Sequence, residues 1–350
     1  MKTWIFEYIS NAYRVKNIFR RLLASEKRSA ITPGKNLDYT MSQYYGADTK
    51  IHDVPCLFIS ARFRTGSTFL WQLLSLVEEL TPYYEPFNER KWVCEVGQNT
   101  ATDPSHLGVK NYTSNYEGLS ALASLHSTDW AYKKLWMDEH SFDLNMEQYV
   151  RGLVEKAKGF PVLQFNRADF RLRWLRKNFP ACKILHLVRN PRNQWLSSLR
   201  GQTMAHDIAL KDFQAYDRFY LLPWADDLKD VFPALALPET APAYLLFYIL
   251  NRLSEIYGQQ EGDLTIQYEQ LAANPMAGLQ QILDIMGLTE ATFEALEIQK
   301  MTQPSPADKW KKLAPASWFE DIEGQGEIIL RQTLSECKPP LPAPSAKTKG

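Results

Sequence analysis

The stretch Pro55-Cys56-Leu57-Phe58-Ile59-Ser60, continued by Ala61-Arg62-Phe63-Arg64-Thr65-Gly66-Ser67-Thr68-Phe69-Leu70, decides the fold. Its first half is a short apolar run suited to a buried strand. Its second half is a polar turn that leads into an apolar helix, read over residues 67–80. A strand–turn–helix junction aims backbone N–H groups and the positive end of a helix dipole at one point, and an anion is the natural occupant. Gly66 lets the backbone approach such a ligand closely. Ser67 and Thr68 add hydroxyls in the first helical turn, where they would also serve as ordinary helix-start residues.

Outward from this junction, strand-like runs alternate with helical ones. Residues 162–165 precede a helix over 168–178, and residues 183–188 precede a helix from Pro191 to about Leu199. Residues 264–268 precede helices near 275–287 and 290–299. This alternation predicts an α/β fold with a central, mainly parallel sheet in three P-loop-like layers. Residues 207–260 read as an inserted helical block, and the polar stretch 94–130 as a long excursion above the sheet. The expected organisation is an N-terminal amphipathic helix and connector (residues 1–50), one elaborated domain (51–335) and a Pro-, Ala- and Lys-rich disordered tail (336–350).

Composition excludes several classes. Forty Lys and Arg balance forty Asp and Glu across 350 residues, which argues against a surface built for nucleic acid while leaving room for a local basic pocket. The four cysteines, Cys56, Cys94, Cys182 and Cys337, form no CxxC pair, so unpaired thiols and a reducing, cytoplasmic compartment are expected. The six histidines show no metal-ligand spacing. No apolar run reaches the ~20 residues that span a bilayer. Residues 3–24 are amphipathic and basic; they are read as a helix packed on protein, with peripheral membrane contact as the alternative.

An ATP-type P-loop requires Lys before its Ser or Thr. Here Ser67 holds the Lys position and the cation is Arg64, on the other side of Gly66, so a kinase reading loses its bridging lysine. A second element strengthens the anion reading. Leu187-Val188-Arg189-Asn190-Pro191-Arg192 places Arg189 at the C-terminal end of a strand, where open α/β sheets bind ligands, with Ser197 two turns along the next helix. Arg and Ser converging there suit a phosphate monoester.

With both elements in view, the chain resembles the sulfotransferases that use 3′-phosphoadenosine 5′-phosphosulfate (PAPS), in motif form closest to the carbohydrate and tyrosyl-protein branches. Arg64-Thr65-Gly66-Ser67-Thr68-Phe69-Leu70 is similar to their 5′-phosphosulfate loop, and residues 179–192 with Ser197 to their 3′-phosphate element. Tyr268-Glu269-Gln270-Leu271 with Pro275 is similar to a later segment of the family. Tyr268 itself reads as a core aromatic. The resemblance implies that Thr65, Gly66, Ser67, Thr68 and Phe69 hold the 5′-phosphate and that Arg64 is the catalytic cation. It assigns Arg189 and Ser197 to the 3′-phosphate, and Lys309 and Trp310 to a closing loop. PAPS is the implied co-substrate and adenosine 3′,5′-bisphosphate the product, with no metal expected.

The acceptor implied is a hydroxyl, carbohydrate favoured, with lipid, natural product or tyrosine as alternatives. A hydroxyl acceptor needs a base within reach. Glu85, in Tyr83-Tyr84-Glu85-Pro86-Phe87-Asn88-Glu89, is the first candidate and Glu89 the second. His106, His126 and His140 follow, and His186 reads as a core residue. A kinase-like transferase and an inactive nucleotide-binding scaffold remain the other two functional readings.

Overall fold

Five strands run parallel in the order β2-β3-β1-β4-β5. β1 (Leu57–Ala61) lies at the centre between β3 (Phe160–Phe165) and β4 (Lys183–Val188), and β2 (Leu80–Tyr84) and β5 (Leu264–Gln267) form the edges. β1 is buried along its whole length, as expected of a strand covered on both faces. The computed structural model describes residues 54–96, 109, 111–199, 201–301 and 308–336. The expected helix over residues 3–24, His106 and all but the first residue of the expected tail lie outside these.

The principal helices are α1 (Ser67–Leu74), α2 (Leu144–Glu155), α3 (Leu172–Asn178), α4 (Pro191–Ser198), α5 (Leu221–Leu228), α6 (Ala243–Glu261), α7 (Pro275–Met286) and α8 (Ala316–Glu336). Leu70, Leu73 and Leu74 of α1 meet Leu279, Ile282 and Leu283 of α7 over one core of the sheet. Met146, Tyr149 and Val150 of α2 pack with Phe58, Phe165 and Trp174 in a second. A third core joins Trp195, Trp224, Tyr244 and Phe319, where the helices of the expected insertion meet α8. Helices on both faces of a parallel sheet give the three-layer, P-loop-like architecture expected.

The chain departs from expectation in three places. The first helix, expected to run to residue 80, stops at Leu74, and the chain then forms β2, which contains Pro82. The edge position accommodates this proline, since an edge strand has one side on which a missing N–H breaks no ladder bond. Tyr268 begins a short helix, Tyr268–Ala273, and so leaves the strand. The expectation of unpaired cysteines is overturned: Cys56 and Cys182 form a disulfide. They lie 126 residues apart, but each precedes one of two neighbouring parallel strands, which brings their Cα atoms to 4.5 Å. Spacing in sequence does not reveal such a pair, and the cysteine argument for a reducing compartment falls with it.

Among the described residues, no helix is long and apolar enough to cross a membrane. Residues 243–250, an apolar run, are buried within α6. Gly258 on that helix has a local cause: a Cβ there would sit 2.2 Å from the ring of His186, which is buried in β4 as expected.

Candidate active site

The turn after β1 holds two residues with left-handed backbone, Arg64 at φ 67° and Gly66 at φ 98°. Gly66 is the N-cap of α1, and a Cβ on it would lie 2.2 Å from the Tyr268 ring, so both conformation and space require glycine. Beneath the turn, the Arg62 carbonyl accepts from Thr65 N at 3.3 Å and from Thr65 Oγ1 at 2.7 Å. The buried Arg62 guanidinium faces Asp169 at 3.6 Å. Asp169 in turn accepts from Ser60 at 3.2 Å and Ser254 at 2.9 Å. Thr65 therefore closes the turn from below, and the hydroxyls of Ser67 and Thr68 occupy the first turn of α1 above it.

At the end of β4, Asn190 caps α4 by accepting from the N–H groups of Arg192 and Asn193, with Pro191 in the first helical position. Arg189 NH1 donates to the Arg64 carbonyl at 2.8 Å, and its guanidinium lies 4.6 Å over Tyr268. Burial lowers the Arg189 pKa, though a guanidinium remains cationic. Arg64 Nε donates to Ser197 Oγ at 3.1 Å, while Phe219 packs against the same guanidinium at 5.7 Å. The two motifs read separately in the sequence thus meet at one place, beyond the C-terminal ends of β1 and β4.

The third wall comes from the end of β2. Glu85 is buried and adopts φ 42°. Its Oε1 accepts from Asn166 Nδ2 at 2.5 Å; its Oε2 accepts from Asn88 Nδ2 at 2.5 Å and from Arg167 NH1 at 2.7 Å. The Tyr84 hydroxyl pairs with Thr68 Oγ1 at 3.0 Å, and burial first, with the Glu85 charge second, raises its pKa well above the ordinary value. The other arm of Arg167 donates to Glu89 Oε2 at 2.6 Å, and Tyr220 OH donates to Glu89 Oε1 at 2.7 Å. Burial alone would raise the Glu89 pKa; the Arg167 charge and the Tyr220 bond outweigh it and bring it below the usual carboxylate value. Arg64, Glu85 and Tyr220 are three of the five non-glycine residues with positive φ among the described residues. Strained backbone of this kind gathers where a site must be held in shape.

One cleft of about 330 Å³ is lined by Arg64, Gly66, Ser67, Thr68, Phe69, Glu85, Glu89, Arg189 and Ser197, all singled out from the sequence. Thr65, Lys309 and Trp310 are not among its lining residues. Trp310 is buried against Phe319 at 5.3 Å, with Arg192 at 4.6 Å over its ring, and Lys309 is exposed. His126 is buried between Trp130 and Tyr149, where desolvation lowers its pKa to about 4; His140 is exposed. Neither lines the cleft.

Sequence reasoning missed four polar residues of the third wall. Asn166 and Arg167 stand just past the C-terminal end of β3, the same signal that had pointed to Arg189, and could have been found by it. Asn88 lay inside the quoted Glu85 segment without a role. Tyr220 gave no signal, because its insertion is brought over the cleft only by tertiary packing. Tyr268, read as a core aromatic, is buried but also forms the floor under Arg189.

A helix N-terminus, two converging arginines and a buried carboxylate, all at the C-terminal edge of a parallel sheet, define an anion-handling transferase of P-loop-like architecture. Comparison with known proteins makes this specific. The sequence profile of the sulfotransferase family matches residues 55–292, and the chain belongs to that family. Comparison with curated proteins gives no match.

Among solved structures, the chain is similar to the sulfotransferase domain from the Synechococcus PCC 7002 olefin synthase, at 16% identity and TM-score 0.33, covering 81% of this chain and 96% of that one. It is similar to sulfotransferase STF9 from Mycobacterium avium, at 16% identity and TM-score 0.40, covering 81% and 76%. A sulfotransferase from Alicyclobacillus acidocaldarius aligns at 14% identity and TM-score 0.37, covering 81% and 98%.

Proposed function

We propose that the cleft binds PAPS and transfers its sulfuryl group to a hydroxyl acceptor, with a carbohydrate as the favoured class. The observation that carries this reading is the convergence of Arg64, Arg189, Ser197 and the N-terminus of α1 on one side of the cleft, with Glu85 on another. The first group suits a nucleotide with anionic groups at two positions; the second suits an acceptor proton. Amides of Gln72, Asn88 and Asn166 line the cleft beside the rings of Trp92 and Tyr112, a combination that suits the hydroxyls and the apolar face of a sugar.

In this reading the acceptor oxygen forms a bond to sulfur as the bond between sulfur and the 5′-phosphate oxygen breaks, and the acceptor proton passes to Glu85. Arg64 offsets the charge that grows on the leaving phosphate, an effect worth about 10²–10³-fold in rate for one well-placed donor. Ser67, Thr68 and the backbone of Gly66 hold the 5′-phosphate. Arg189 and Ser197 hold the 3′-phosphate and so distinguish this nucleotide from ATP. Arg167 and the two asparagines fix the Glu85 carboxylate in place.

The deciding experiment is an acceptor screen with labelled PAPS in the presence of EDTA, run beside Arg64→Ala and Glu85→Gln. Glu85→Gln is expected to lower kcat by about 10²–10⁴-fold, the usual contribution of a general base. Transfer from ATP that requires Mg²⁺ would support the kinase-like reading. Tight binding of adenosine 3′,5′-bisphosphate, with no acceptor whose sulfation depends on these two residues, would support the inactive scaffold.

A further inference from the structure

Phe219 and Tyr220 are neighbours in the chain, yet each leads to a different side of the cleft. The Phe219 ring lies 5.7 Å from the Arg64 guanidinium, the cation of the first turn. The Tyr220 hydroxyl donates to Glu89 Oε1 at 2.7 Å and Arg167 NH2 to Glu89 Oε2 at 2.6 Å, while Arg167 NH1 donates to Glu85 Oε2 at 2.7 Å. Three hydrogen bonds in series therefore join Tyr220 to the Glu85 carboxylate. Each has a charged partner, and bonds of that kind are shorter and stronger than neutral ones.

Tyr220 adopts φ 61°, a left-handed conformation unfavourable for an L-residue with a bulky side chain. Such a residue persists where its surroundings over-determine it. Two sets of contacts do so here. After it, the Asp217 carboxylate accepts from the N–H groups of Leu221 and Leu222 at 2.8 and 2.9 Å, which closes the chain reversal at the start of α5. Beside it, the buried Phe63 ring packs on Phe219 at 5.5 Å, Tyr220 at 6.1 Å and Trp224 at 5.8 Å. The Arg167 guanidinium lies over the same ring at 4.8 Å. Phe63 is itself anchored, since its carbonyl accepts from Gln194 Nε2 of α4 at 2.7 Å, and the next residue in the chain is Arg64.

Packing of the helical insertion onto the domain accounts for the two rings. It does not account for the phenol hydroxyl, which leads through Glu89 and Arg167 to Glu85, or for the left-handed backbone that aims it there. In-line transfer requires the attacking and leaving oxygens on one line through the sulfur, so the groups serving each oxygen must be held at a set separation, and small displacements lower the rate steeply.

We propose that the turn over residues 217–222 is a clamp across the cleft that fixes the cation and the base relative to each other: Phe219 sets the Arg64 guanidinium, and Tyr220, through Glu89 and Arg167, sets the Glu85 carboxylate. Asp217, Phe219 and Tyr220 are then positioning residues, and Glu89 is a link in the path to the base. This rests on the roles given above to Arg64 and Glu85. The clamp makes and breaks no covalent bond; it acts only on geometry.

The test uses NMR of protein carrying nitrogen-15 in its arginine side chains. The guanidinium signals of Arg167 are those lost in Arg167→Lys, and the Nε–H signal of Arg64 is the one lost in Arg64→Lys. Tyr220→Phe keeps the ring and removes the hydroxyl; it is expected to move the Arg167 signals and to leave that of Arg64 in place. Phe219→Leu is expected to do the reverse, and Asp217→Ala to move the signals of both arginines. In calorimetry with adenosine 3′,5′-bisphosphate, Phe219→Leu should bind about two- to fivefold more weakly, the scale of one exposed cation–ring contact, while Tyr220→Phe binds as the wild type does. Arg167 signals that stay in place in Tyr220→Phe overturn the path to Glu85, and an Arg64 signal that stays in place in Phe219→Leu overturns the other arm, whether or not the nucleotide binds. If Asp217→Ala does not fold, these two variants decide the matter alone. A wild type that binds no bisphosphate at millimolar concentration overturns the nucleotide reading, and with it the purpose of the clamp.

Discussion

Arg64 Nε donates to Ser197 Oγ at 3.1 Å, so the cation of the first turn touches a hydroxyl on α4 although 133 residues separate them in sequence. In the proposed reading these residues face opposite ends of one nucleotide, and their contact makes the two phosphate subsites neighbours that share a wall. Substituting either one should therefore disturb both ends.

Ser197→Ala is expected to weaken binding of adenosine 3′,5′-bisphosphate by about tenfold, the scale of one hydrogen bond to a charged group. It should also lower sulfuryl transfer, because Arg64 loses the partner that orients it. Arg64→Ala should cost transfer far more than binding. The combined variant should lose less than the product of the two single losses, as groups in direct contact do. Calorimetry and single-turnover rates measure these quantities, and strict multiplicativity would show that the contact plays no part.

Gly66→Ala separates backbone from space. The substitution forces an L-residue to φ 98° and drives its Cβ to 2.2 Å from Tyr268. Gly118→Ala is the control, since Gly118 has φ 79° with nothing within 4 Å of an added Cβ. The control should lose about 1–2 kcal/mol of stability, the left-handed cost alone, and bind bisphosphate as before. Gly66→Ala should lose more stability and at least tenfold in bisphosphate affinity, because Tyr268 must shift from under Arg189. Equal denaturation midpoints for the two variants would remove the steric part of this account.

The fold was legible where local pattern and global role coincide. β1, β3 and β4 are apolar because they are covered on both faces, and a continuous apolar run is visible in any sequence. β2 was hidden because its Pro82 is tolerated only at an edge, and edge position is a property of the sheet. The anion side of the cleft was legible because strand–turn–helix geometry is local. The Glu85 side was half legible: the carboxylate could be named, but Asn166, Arg167 and Tyr220 reach it from 81, 82 and, through Glu89, 131 residues away. The pairing of Cys56 with Cys182 was invisible for the same reason, as strand order decides it.

The Cys56–Cys182 disulfide ties the entrances of the two central strands, at the end of the sheet opposite the cleft. It closes a loop of 126 residues, and removing such a link typically lowers stability by about 2–5 kcal/mol. Cys56→Ser with Cys182→Ser, or reduction of the wild type, should lower the urea midpoint while bisphosphate affinity changes less than twofold. An unchanged midpoint on reduction would mean that the link adds nothing to the fold. Loss of affinity in step with stability would mean that it does more than hold the strands.

Two buried histidines give the fold a pH limit whose direction follows from their surroundings. Burial lowers the pKa of His186 to about 4, with the Arg62 charge adding to the effect, and burial lowers that of His126 to about 4. In the unfolded chain both take up a proton near pH 6.5. Between these values the unfolded state carries more protons than the folded one, so stability is full above pH 6.5 and falls as the pH drops toward 4. Each histidine accounts for roughly 3 kcal/mol of that loss at about 1.36 kcal/mol per pH unit. His186 Nδ1 has no hydrogen-bond partner, so an apolar residue of similar size forfeits no bond at that atom. His186→Leu is expected to reduce the slope of stability against pH by about half over this window while leaving the value at pH 8 within about 1 kcal/mol of wild type, within the range tolerated for volume-conserving core changes. Urea melts at intervals from pH 4 to pH 8 measure the slope, and one that is unchanged by the substitution would place the acid sensitivity elsewhere.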